Sequence, residues 1–407
     1  MIEWSEQHEL IRQTFRRFVE AEIKPNLREL EHGDTPPYAV LRKMMATFGI
    51  DQMARARCER QIAREKAAAA GEPHAERPGP EATDAAGMQL IPIIELCRYC
   101  PGMVTALGVS VGLTAAAIMA RGTIRQKERW ALPLATLETI GAWAITEPGS
   151  GSDAFGAMKS TARRDGDGGY VLNGSKTFIT NGPYADTIVF ICKLDEGNEP
   201  RERKVLSFIL DKDLPGLTRS KPMLKMGLHS SPTGELFLED VRAGRERLLG
   251  ETEDAPARAG AKQTFSQERA GVPAMALGIV SQCLDLCVDY ARTRVQFGRP
   301  IGEFQLIQLK LARMEVARMN LQNMIFRQIE MAGAGKRMTL AEASAAKLYA
   351  AQAAMEVALE AVQLFGGNGY MAEFQVEQLC RDAKVLQIYA GTDEIQVGQI
   401  ARSLLRG

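Results

Sequence analysis

The sequence lacks an excess of charge of either sign and a dense set of cysteines. Lys+Arg and Asp+Glu each number 50 among 407 residues, so the formal net charge is zero. We therefore expect no nucleic-acid partner and no general attraction to an anionic membrane. Seven cysteines in a chain of this length do not indicate a disulfide framework, which favours a reducing, cytoplasmic setting.

Membrane spans and metal sites are also expected to be absent. We expect no apolar run that reaches the roughly 18 residues of a membrane span, and hence no membrane insertion. The first residues, "MIEWSEQHELIRQTFRRFVEAEI", form an acidic amphipathic helix pattern rather than a signal or transit peptide. Cys97 and Cys100 form a C-x-x-C pair, but no second pair or histidine set follows, so we predict no metal site.

The hydrophobic pattern divides the chain into three segments and predicts an α+β fold that is mainly α. Residues 1–140 show apolar residues at helical spacing, although the charged, Ala-, Pro- and Gly-rich stretch 60–87 predicts the end of a helix and a mobile surface loop. Residues 141–250 contain short β-branched runs split by turn residues, which predicts a barrel-like domain of antiparallel strands. Residues 251–407 are helical again and suit an antiparallel four-helix bundle.

Two stretches of the β region carry groups that suit a planar, phosphate-bearing ligand. In "WAITEPGSGSD", Gly151 and Ser152 expose backbone N–H groups and a hydroxyl, although an ordinary turn would look the same. In "KTFITNG", strand alternation places Phe178 toward a planar ligand while Thr180 offers a hydroxyl. The alternative for this second stretch is a strand that ends in an Asn-Gly turn.

A third stretch, "RTRVQFGRPIGEFQ", surrounds a glycine break in a helical region. Arg294, Phe297, Arg299 and Gln305 would suit a phosphate or an adenine-bearing ligand. A solvated basic turn would have the same composition. None of the three stretches defines a function when it is considered alone.

Taken in order, the motifs resemble those of the acyl-CoA dehydrogenases, flavoenzymes in which FAD oxidises the Cα–Cβ bond of a fatty acyl-CoA. The matching stretches are "TEPGSGSD", "NGSKTFITNG", "RTRVQFGRPIGEFQ", "QLFGGNGY" and "RDAKVLQIYAGTDEIQ". The resemblance covers about residues 120–407 well and the N-terminal helices only loosely. It implies an N-terminal helical domain, a β domain and a C-terminal four-helix domain that forms the core of a homotetramer. It also implies an acyl-CoA substrate, a place in fatty acid metabolism and an electron-transfer flavoprotein as the electron acceptor.

The resemblance further implies which residues bind FAD and substrate. Those along the flavin and pyrophosphate would be Trp143, Ile145, Thr146, Gly151, Ser152, Phe178 and Thr180, with Thr392 near the cofactor. Those that reach the adenine half of FAD across a subunit interface would be Arg294, Phe297, Gln305, Gln363, Gly366 and Gly367. The substrate contacts would be Ser152, Arg269, Ala390 and Gly391, with Arg269 directed toward CoA.

The usual catalytic glutamate of the family is missing, because Ala390 stands at its position in "YAGT". An α-proton of a thioester is a weak acid and needs a positioned carboxylate. Asp393 and Glu394 are the nearest acids, but acids in the first turn of a helix need no catalytic role. Glu268, directly before Arg269, matches the position of the base in isovaleryl- and long-chain acyl-CoA dehydrogenases. We therefore predict Glu268 as the catalytic base, with a pKa raised by burial.

Substrate and reaction type remain open at this level. A base on the opposite helix leaves room near Cβ and Cγ, which predicts a branched or bulky acyl group. One alternative is an acyl-CoA oxidase-type flavoenzyme that uses O₂. Others are a non-catalytic flavoprotein that binds acyl-CoA or a carrier-bound acyl group, and a helical structural protein without FAD.

Overall fold

The computed structural model describes residues 3–71, 82–254 and 257–405, without the side chains of 82–86 and 257–267. The central part of the predicted loop at 60–87 lies outside these ranges. The flanking residues of that stretch are helical, since Ile50–Ala69 forms one helix and Ala82–Cys97 another. The end of a helix predicted at the start of this stretch is confirmed by Ile50–Ala69, whereas the loop prediction was wrong from Ala82 onward, because these residues form the start of the apolar helix that continues to Cys97.

Helices form the first and last parts of the chain. The N-terminal α-helices are α1 (Glu6–Phe18), α2 (Leu27–His32), α3 (Tyr38–Thr47), α4 (Ile50–Ala69), α5 (Ala82–Cys97), α6 (Pro101–Leu107), α7 (Ala116–Arg121), α8 (Ile124–Gln126) and α9 (Leu132–Ala135). The π-helical turns between them are Val19–Ile23, Gly108–Ala115 and Lys127–Ala131. The C-terminal α-helices are α10 (Ala257–Thr293), α11 (Gln305–Gly333), α12 (Leu340–Phe365), α13 (Gln375–Val385) and α14 (Asp393–Leu405).

A seven-stranded sheet lies between the two helical parts. Its strands are β1 (Gly141–Ala144), β2 (Thr161–Arg164), β3 (Tyr170–Thr180), β4 (Thr187–Leu194), β5 (Val205–Asp211), β6 (Leu217–Arg219) and β7 (Thr233–Ala243). A separate two-stranded hairpin follows α10 and consists of β8 (Val295–Gln296) and β9 (Arg299–Pro300). The predicted domain boundaries near residues 140 and 250 stay predictions.

The sheet is mixed, so the prediction of a wholly antiparallel domain was wrong, and the barrel-like shape stays a prediction. The strand order is β1-β4-β2-β3-β7-β6, with β5 on the other edge of β4. β1 and β2 both pair in parallel with β4. β1 pairs with the first half of β4, at Thr187–Phe190, and β2 pairs with its end, at Lys193 and Leu194. Among the described strands no pairing joins β1 to β6, so hydrogen bonds do not close the sheet.

Strand β4 lies between two hydrophobic cores, and all eight of its residues are buried. Phe190 and alternate residues face the core within the β domain, whereas Val189 and Ile191 face a core shared with the N-terminal helices. Trp143 and Ile145 belong to the second core. The strand segment that precedes the "TEP" turn is therefore fixed by packing against helices.

The N- and C-terminal helices share a third core, in which α10 crosses α5 closely. A Cβ atom on Gly278 would lie 2.3 Å from the carbonyl oxygen of Ile94, so only glycine permits this approach. This crossing fixes the direction of α10, the helix that carries Glu268. Cys283 and Cys287 are buried in the same core.

Two helical stretches of the described chain are long and apolar enough to span a membrane, Pro101–Arg121 and Glu268–Thr293. The expectation that no stretch reaches this length was therefore wrong. Within their most apolar windows, 61% and 72% of the residues are buried inside the protein, as in core helices of soluble proteins. Length and composition alone are weak evidence for membrane insertion.

Candidate active site

The two β-region motifs lie side by side. The main-chain N–H of Thr177 donates to the carbonyl oxygen of Thr146 across 2.9 Å, which joins "KTFIT" to "TEP". Strand β3 has a bulge here, because its pairing with β7 shifts register between Lys176 and Ile179. Phe178 in the bulge has φ +57° and is 66% exposed. The strict alternation predicted for this strand was wrong, and the bulge turns the Phe178 ring outward.

A buried ion pair supports this corner, and sequence patterns did not reveal it. The Lys176 ammonium group lies 2.9 Å from Glu147 Oε1 and 3.1 Å from the carbonyl oxygen of Ile145. Glu147 also accepts hydrogen bonds from the main-chain N–H groups of Lys159 and Ser160. The attraction of Lys176 and these hydrogen bonds outweigh desolvation and keep the pKa of Glu147 below its ordinary value. The pair fixes the backbone beside Thr146.

The groups in this corner fit a flat heterocycle with a polar edge. The indole Nε1 of Trp143 is buried and has no hydrogen-bond partner among the described residues, so a donor is available. Phe178 presents an aromatic face, and the hydroxyl of Thr180 lies two residues further along the strand. Gly151 and Ser152 are exposed, and a Cβ on Gly151 would meet no atom within 4 Å. These residues match what an isoalloxazine ring and a pyrophosphate require.

The "RTRVQFG" motif forms an exposed hairpin just after α10. Phe297 at its tip has φ +52° and is 95% exposed, and Arg294 and Gln305 are exposed as well. Arg299 stacks on the ring of Phe304 at 4.3 Å, so its charge is held within the hairpin. An aromatic ring this exposed is available to a ligand or to another protein chain.

The C-terminal end of α12 lies next to this hairpin. The rings of Tyr290 and Phe365 stack with centroids 4.1 Å apart, and Tyr290 precedes the hairpin by one helical turn. Gln363, Gly366 and Gly367 are exposed at this helix end. The structure thus brings together the predicted adenine-site residues from both stretches.

Glu268 lies far from these residues along the same helix. The segment Glu268–Thr293 has 26 residues. At 1.5 Å per residue, about 38 Å of helix separates its two ends. Within one chain, the predicted base and the predicted adenine site are therefore too far apart to serve one extended FAD molecule.

The Ala390–Gly391 turn contacts α10 at Arg269. Ala390 has φ +54° and Gly391 has φ +90°. A left-handed conformation costs a residue with a side chain about 1–3 kcal/mol, so contacts must hold it. Arg269 Nε donates to the carbonyl oxygen of Ala390 across 3.1 Å, and Gln396 Nε2 donates to the same oxygen across 3.1 Å.

Arg269 has an internal role that differs from the CoA contact implied by the resemblance. Its side chain is only 6% exposed, and its Nη1 lies 3.3 Å from the hydroxyl of Ser344 on α12. The guanidinium group therefore bonds to protein on two sides. Contact of Arg269 with CoA stays a prediction.

Glu268 has the properties of a proton acceptor. Its residue is half-buried, but the surrounding protein desolvates the carboxyl group and raises its pKa from 4.5 to about 7, against the attraction of Arg269 and Lys347. Within the described part of the chain, no hydrogen bond or ion pair holds the carboxylate. A carboxyl group with a pKa near neutrality and no fixed partner can take up and release a proton.

The two competing acids have other partners. Asp393 Oδ1 lies 3.1 Å from the ammonium group of the fully buried Lys347. Glu394 is exposed, and hydrogen bonds from its own N–H and from Thr392 lower its pKa. Thr392 Oγ1 also accepts the N–H of Ile395 at 3.4 Å, so these residues form the start of α14. Asp393 and Glu394 are thus engaged by other groups, and the assignment of Glu268 as the base stays a prediction.

The fold and the positions of the motifs together are those of a flavin-dependent oxidoreductase. Comparison with known families identifies the class: residues 5–54, 142–241 and 259–405 match the N-terminal, middle and C-terminal domains of acyl-CoA dehydrogenase. The chain belongs to the acyl-CoA dehydrogenase family. Membership confirms the resemblance, the mainly α fold with a middle β domain, and FAD-dependent dehydrogenation of acyl-CoA.

Similar proteins cover from 78% to the whole of the chain. A short-chain specific acyl-CoA dehydrogenase from Megasphaera elsdenii is 39% identical over 317 residues, which are 78% of this chain and 81% of that protein. A 3-(aryl)acrylate reductase from Clostridium sporogenes is 35% identical over 406 residues, which are 99% of this chain and 100% of that protein. The solved structure of butyryl-CoA dehydrogenase from Megasphaera elsdenii has a TM-score of 0.83 at 33% identity and covers 100% of both chains.

Proposed function

We propose that this protein dehydrogenates a short-chain acyl-CoA thioester to the trans-2-enoyl-CoA, with Glu268 as the base. The observation that carries the assignment of the base is the hydrogen bond from Arg269 to the carbonyl oxygen of Ala390, which supports a position for the neighbouring Glu268 near the alanine that stands where the family has its usual glutamate. The raised pKa of Glu268 and its lack of a fixed partner within the described residues support this role.

The turn supplies the second half of the chemistry. No hydrogen bond between described residues uses the main-chain N–H groups of Ala390, Gly391 or Thr392. These donors are available to the thioester carbonyl, whose oxygen gains negative charge as Glu268 takes the proton from Cα. Bound FAD supplies the acceptor for the hydride that leaves Cβ. Loss of the side-chain carboxylate at position 390 leaves this donor role intact.

The separation along α10 supports a proposal for the oligomeric state. Since about 38 Å of helix lies between Glu268 and the hairpin, we propose that the hairpin and the end of α12 bind the adenine half of FAD held by a second copy of the chain. The exposure of Phe297, Gln363 and Gly367 supports this arrangement. A homotetramer built on the C-terminal helices would supply it. A cytoplasmic location is proposed on the cysteine content.

The substrate is proposed from the relatives and from the cofactor-bearing structures. Both proteins from Megasphaera elsdenii are named for short acyl chains. An acyl-CoA dehydrogenase from Bacillus anthracis was solved in complex with FAD. Its structure is 28% identical, has a TM-score of 0.79, and the match covers 99% of this chain and 68% of that one. The branched or bulky acyl group predicted from the position of the base remains a finer alternative.

The electron acceptor is proposed to be an electron-transfer flavoprotein. A solved structure described as the electron-transferring flavoprotein of Acidaminococcus fermentans is 32% identical, with a TM-score of 0.79 and 100% coverage of both chains. The alternative is O₂, since a prolyl acyl carrier protein oxidase is also similar, at 28% identity and a TM-score of 0.82.

Anaerobic titration of the purified yellow protein tests the proposal. Butyryl-CoA should bleach the flavin absorbance near one equivalent, and isovaleryl- and octanoyl-CoA should be compared at equal concentration. Reoxidation by an electron-transfer flavoprotein without peroxide release would support the dehydrogenase. Fast aerobic turnover with peroxide would favour the oxidase, and binding without bleaching would contradict both.

A further inference from the structure

The conformation of the Ala390–Gly391 turn depends on one buried amide. Gln396 is fully buried on the first turns of α14. Its Nε2 donates to the carbonyl oxygen of Ala390 at 3.1 Å and to that of Gly391 at 2.7 Å. The Oε1 atom of the same amide has no partner among the described residues. The amide is therefore oriented by the two carbonyl groups alone.

A buried lysine holds the other end of the same turn. Lys347 is fully buried within α12, and its ammonium group lies 3.1 Å from Asp393 Oδ1 at the start of α14. One helical turn earlier on α12, Ser344 accepts a hydrogen bond from Arg269. One face of α12 thus fixes both the start of α14 and the arginine that contacts Ala390.

These contacts determine the direction of the free N–H groups. A trans peptide unit is planar, so the carbonyl group of Ala390 and the N–H of Gly391 lie in one rigid plane and point in opposite directions. With that plane held by Arg269 and Gln396, the φ of +54° at Ala390 sets the plane that carries its own N–H. A shift of the carbonyl groups would move both donors.

We propose that Gln396 and Lys347 are positioning residues that aim the main-chain N–H groups of Ala390 and Gly391 at the thioester carbonyl. The inference rests on the proposed function and concerns the donor side of the reaction. Neither side chain contacts a reacting atom. Gln396 acts through hydrogen bonds that methionine cannot make, and Lys347 acts through Asp393.

The first test replaces Gln396 by methionine, a side chain of similar length without a donor. The control is Gln399→Met, the same substitution less than one turn further along α14 at a half-buried position. Two quantities are measured: the rate of flavin bleaching by butyryl-CoA, and the red shift of the absorption band of bound 2-enoyl-CoA, which reports polarisation of its carbonyl group. We expect Gln396→Met to lower the rate about 10- to 100-fold and to reduce the red shift, with FAD content and Tm retained. Gln399→Met should change neither.

The second test uses Lys347→Met and Lys347→Arg. It also tests the inference if the Gln396→Met variant does not retain FAD. Lys347→Met should lower the bleaching rate, reduce the red shift and move the acid limb of the pH profile upward, because its positive charge lowers the pKa of Glu268. Lys347→Arg, which keeps the charge, should restore most of all three.

The result that overturns the inference is a wild-type bleaching rate and red shift in both Gln396→Met and Lys347→Met. Glu268→Gln, measured in the same series, separates this from a failure of the proposed function. If Glu268→Gln bleaches normally, the proposed base is wrong. If Glu268→Gln is inactive while the two positioning variants behave as wild type, only the present inference is wrong.

Discussion

Arg269 donates a hydrogen bond to the carbonyl oxygen of Ala390 across 3.1 Å and so ties the helix of the proposed base to the turn that lacks one. Glu268 precedes Arg269 directly, so this bond holds the backbone that carries the proposed base near the turn. The two walls of the substrate site are thereby fixed relative to each other. A carboxylate that arrives from α10 can then replace one lost from position 390.

Replacing Glu268 by glutamine should abolish most of the flavin bleaching by acyl-CoA. A positioned general base contributes about 10²- to 10⁴-fold, so the bleaching rate should fall within that range while FAD stays bound. Stopped-flow absorbance under anaerobic conditions measures it. Glu394→Gln is the matched control, because Glu394 is an exposed acid near the same turn, and it should bleach at the wild-type rate.

Returning a carboxylate to the opposite wall should compensate for this loss. The double variant Glu268→Gln, Ala390→Glu should recover part of the bleaching rate, because the new side chain extends from the turn that Arg269, the neighbour of Glu268, contacts. The same rapid-reaction measurement applies. A double variant no faster than Glu268→Gln would contradict the idea that the two positions share one substrate site.

The pH dependence of the reaction should follow the ionisation of Glu268. Desolvation raises the pKa of its carboxyl group to about 7, and only the ionised form accepts a proton. The kcat/KM should therefore be lost as the pH falls through about 7 and level off above it. Measurements from pH 5 to 9 would test this, and an acid limb near the ordinary value of a glutamate would contradict the desolvated environment.

Breaking the buried ion pair of Lys176 and Glu147 should destabilise the protein strongly. Lys176→Met leaves the Glu147 carboxylate buried and without its cation, which costs about 3–5 kcal/mol of unfolding free energy. The FAD affinity should fall with it, since the backbone beside Thr146 loses a contact. Urea unfolding of the holoprotein measures the first effect, and ultrafiltration measures FAD retention. Arg163→Met, in an exposed pair with Asp195, should cost less than about 1 kcal/mol.

Asp382 should make stability fall as the pH rises. It is fully buried, and desolvation, followed by the charge of Glu31, raises its pKa from 3.8 to about 7. The folded state therefore binds this proton more tightly than the unfolded state, so unfolding free energy decreases between these two pH values. Asp382→Asn should flatten this slope, as measured by urea unfolding at pH 5 and pH 8. An unchanged slope would contradict the assignment.

The sequence predicted the order of helical and β segments because hydrophobic spacing reports local structure directly. It did not predict the parallel pairs of β4, since strand partners depend on chain direction over long separations. Motif resemblance pointed to Glu268 and Ala390, but not to the contacts between them. Gln396, Lys347 and the Lys176–Glu147 pair carry no periodic signal, because a buried polar residue is recognisable only by the partner that folding brings to it.

Helix α10 carries Glu268 in its first half and leads into the exposed hairpin at its C-terminal end, within one helix of 37 residues. The number of residues between Glu268 and the hairpin therefore determines the distance and the angle between them. Insertion of one residue within that span would rotate the hairpin by about 100° and displace it by about 1.5 Å relative to the carboxylate. Length variation in this helix is consequently far more restricted than substitution, and insertions or deletions in relatives should fall in the loops outside it.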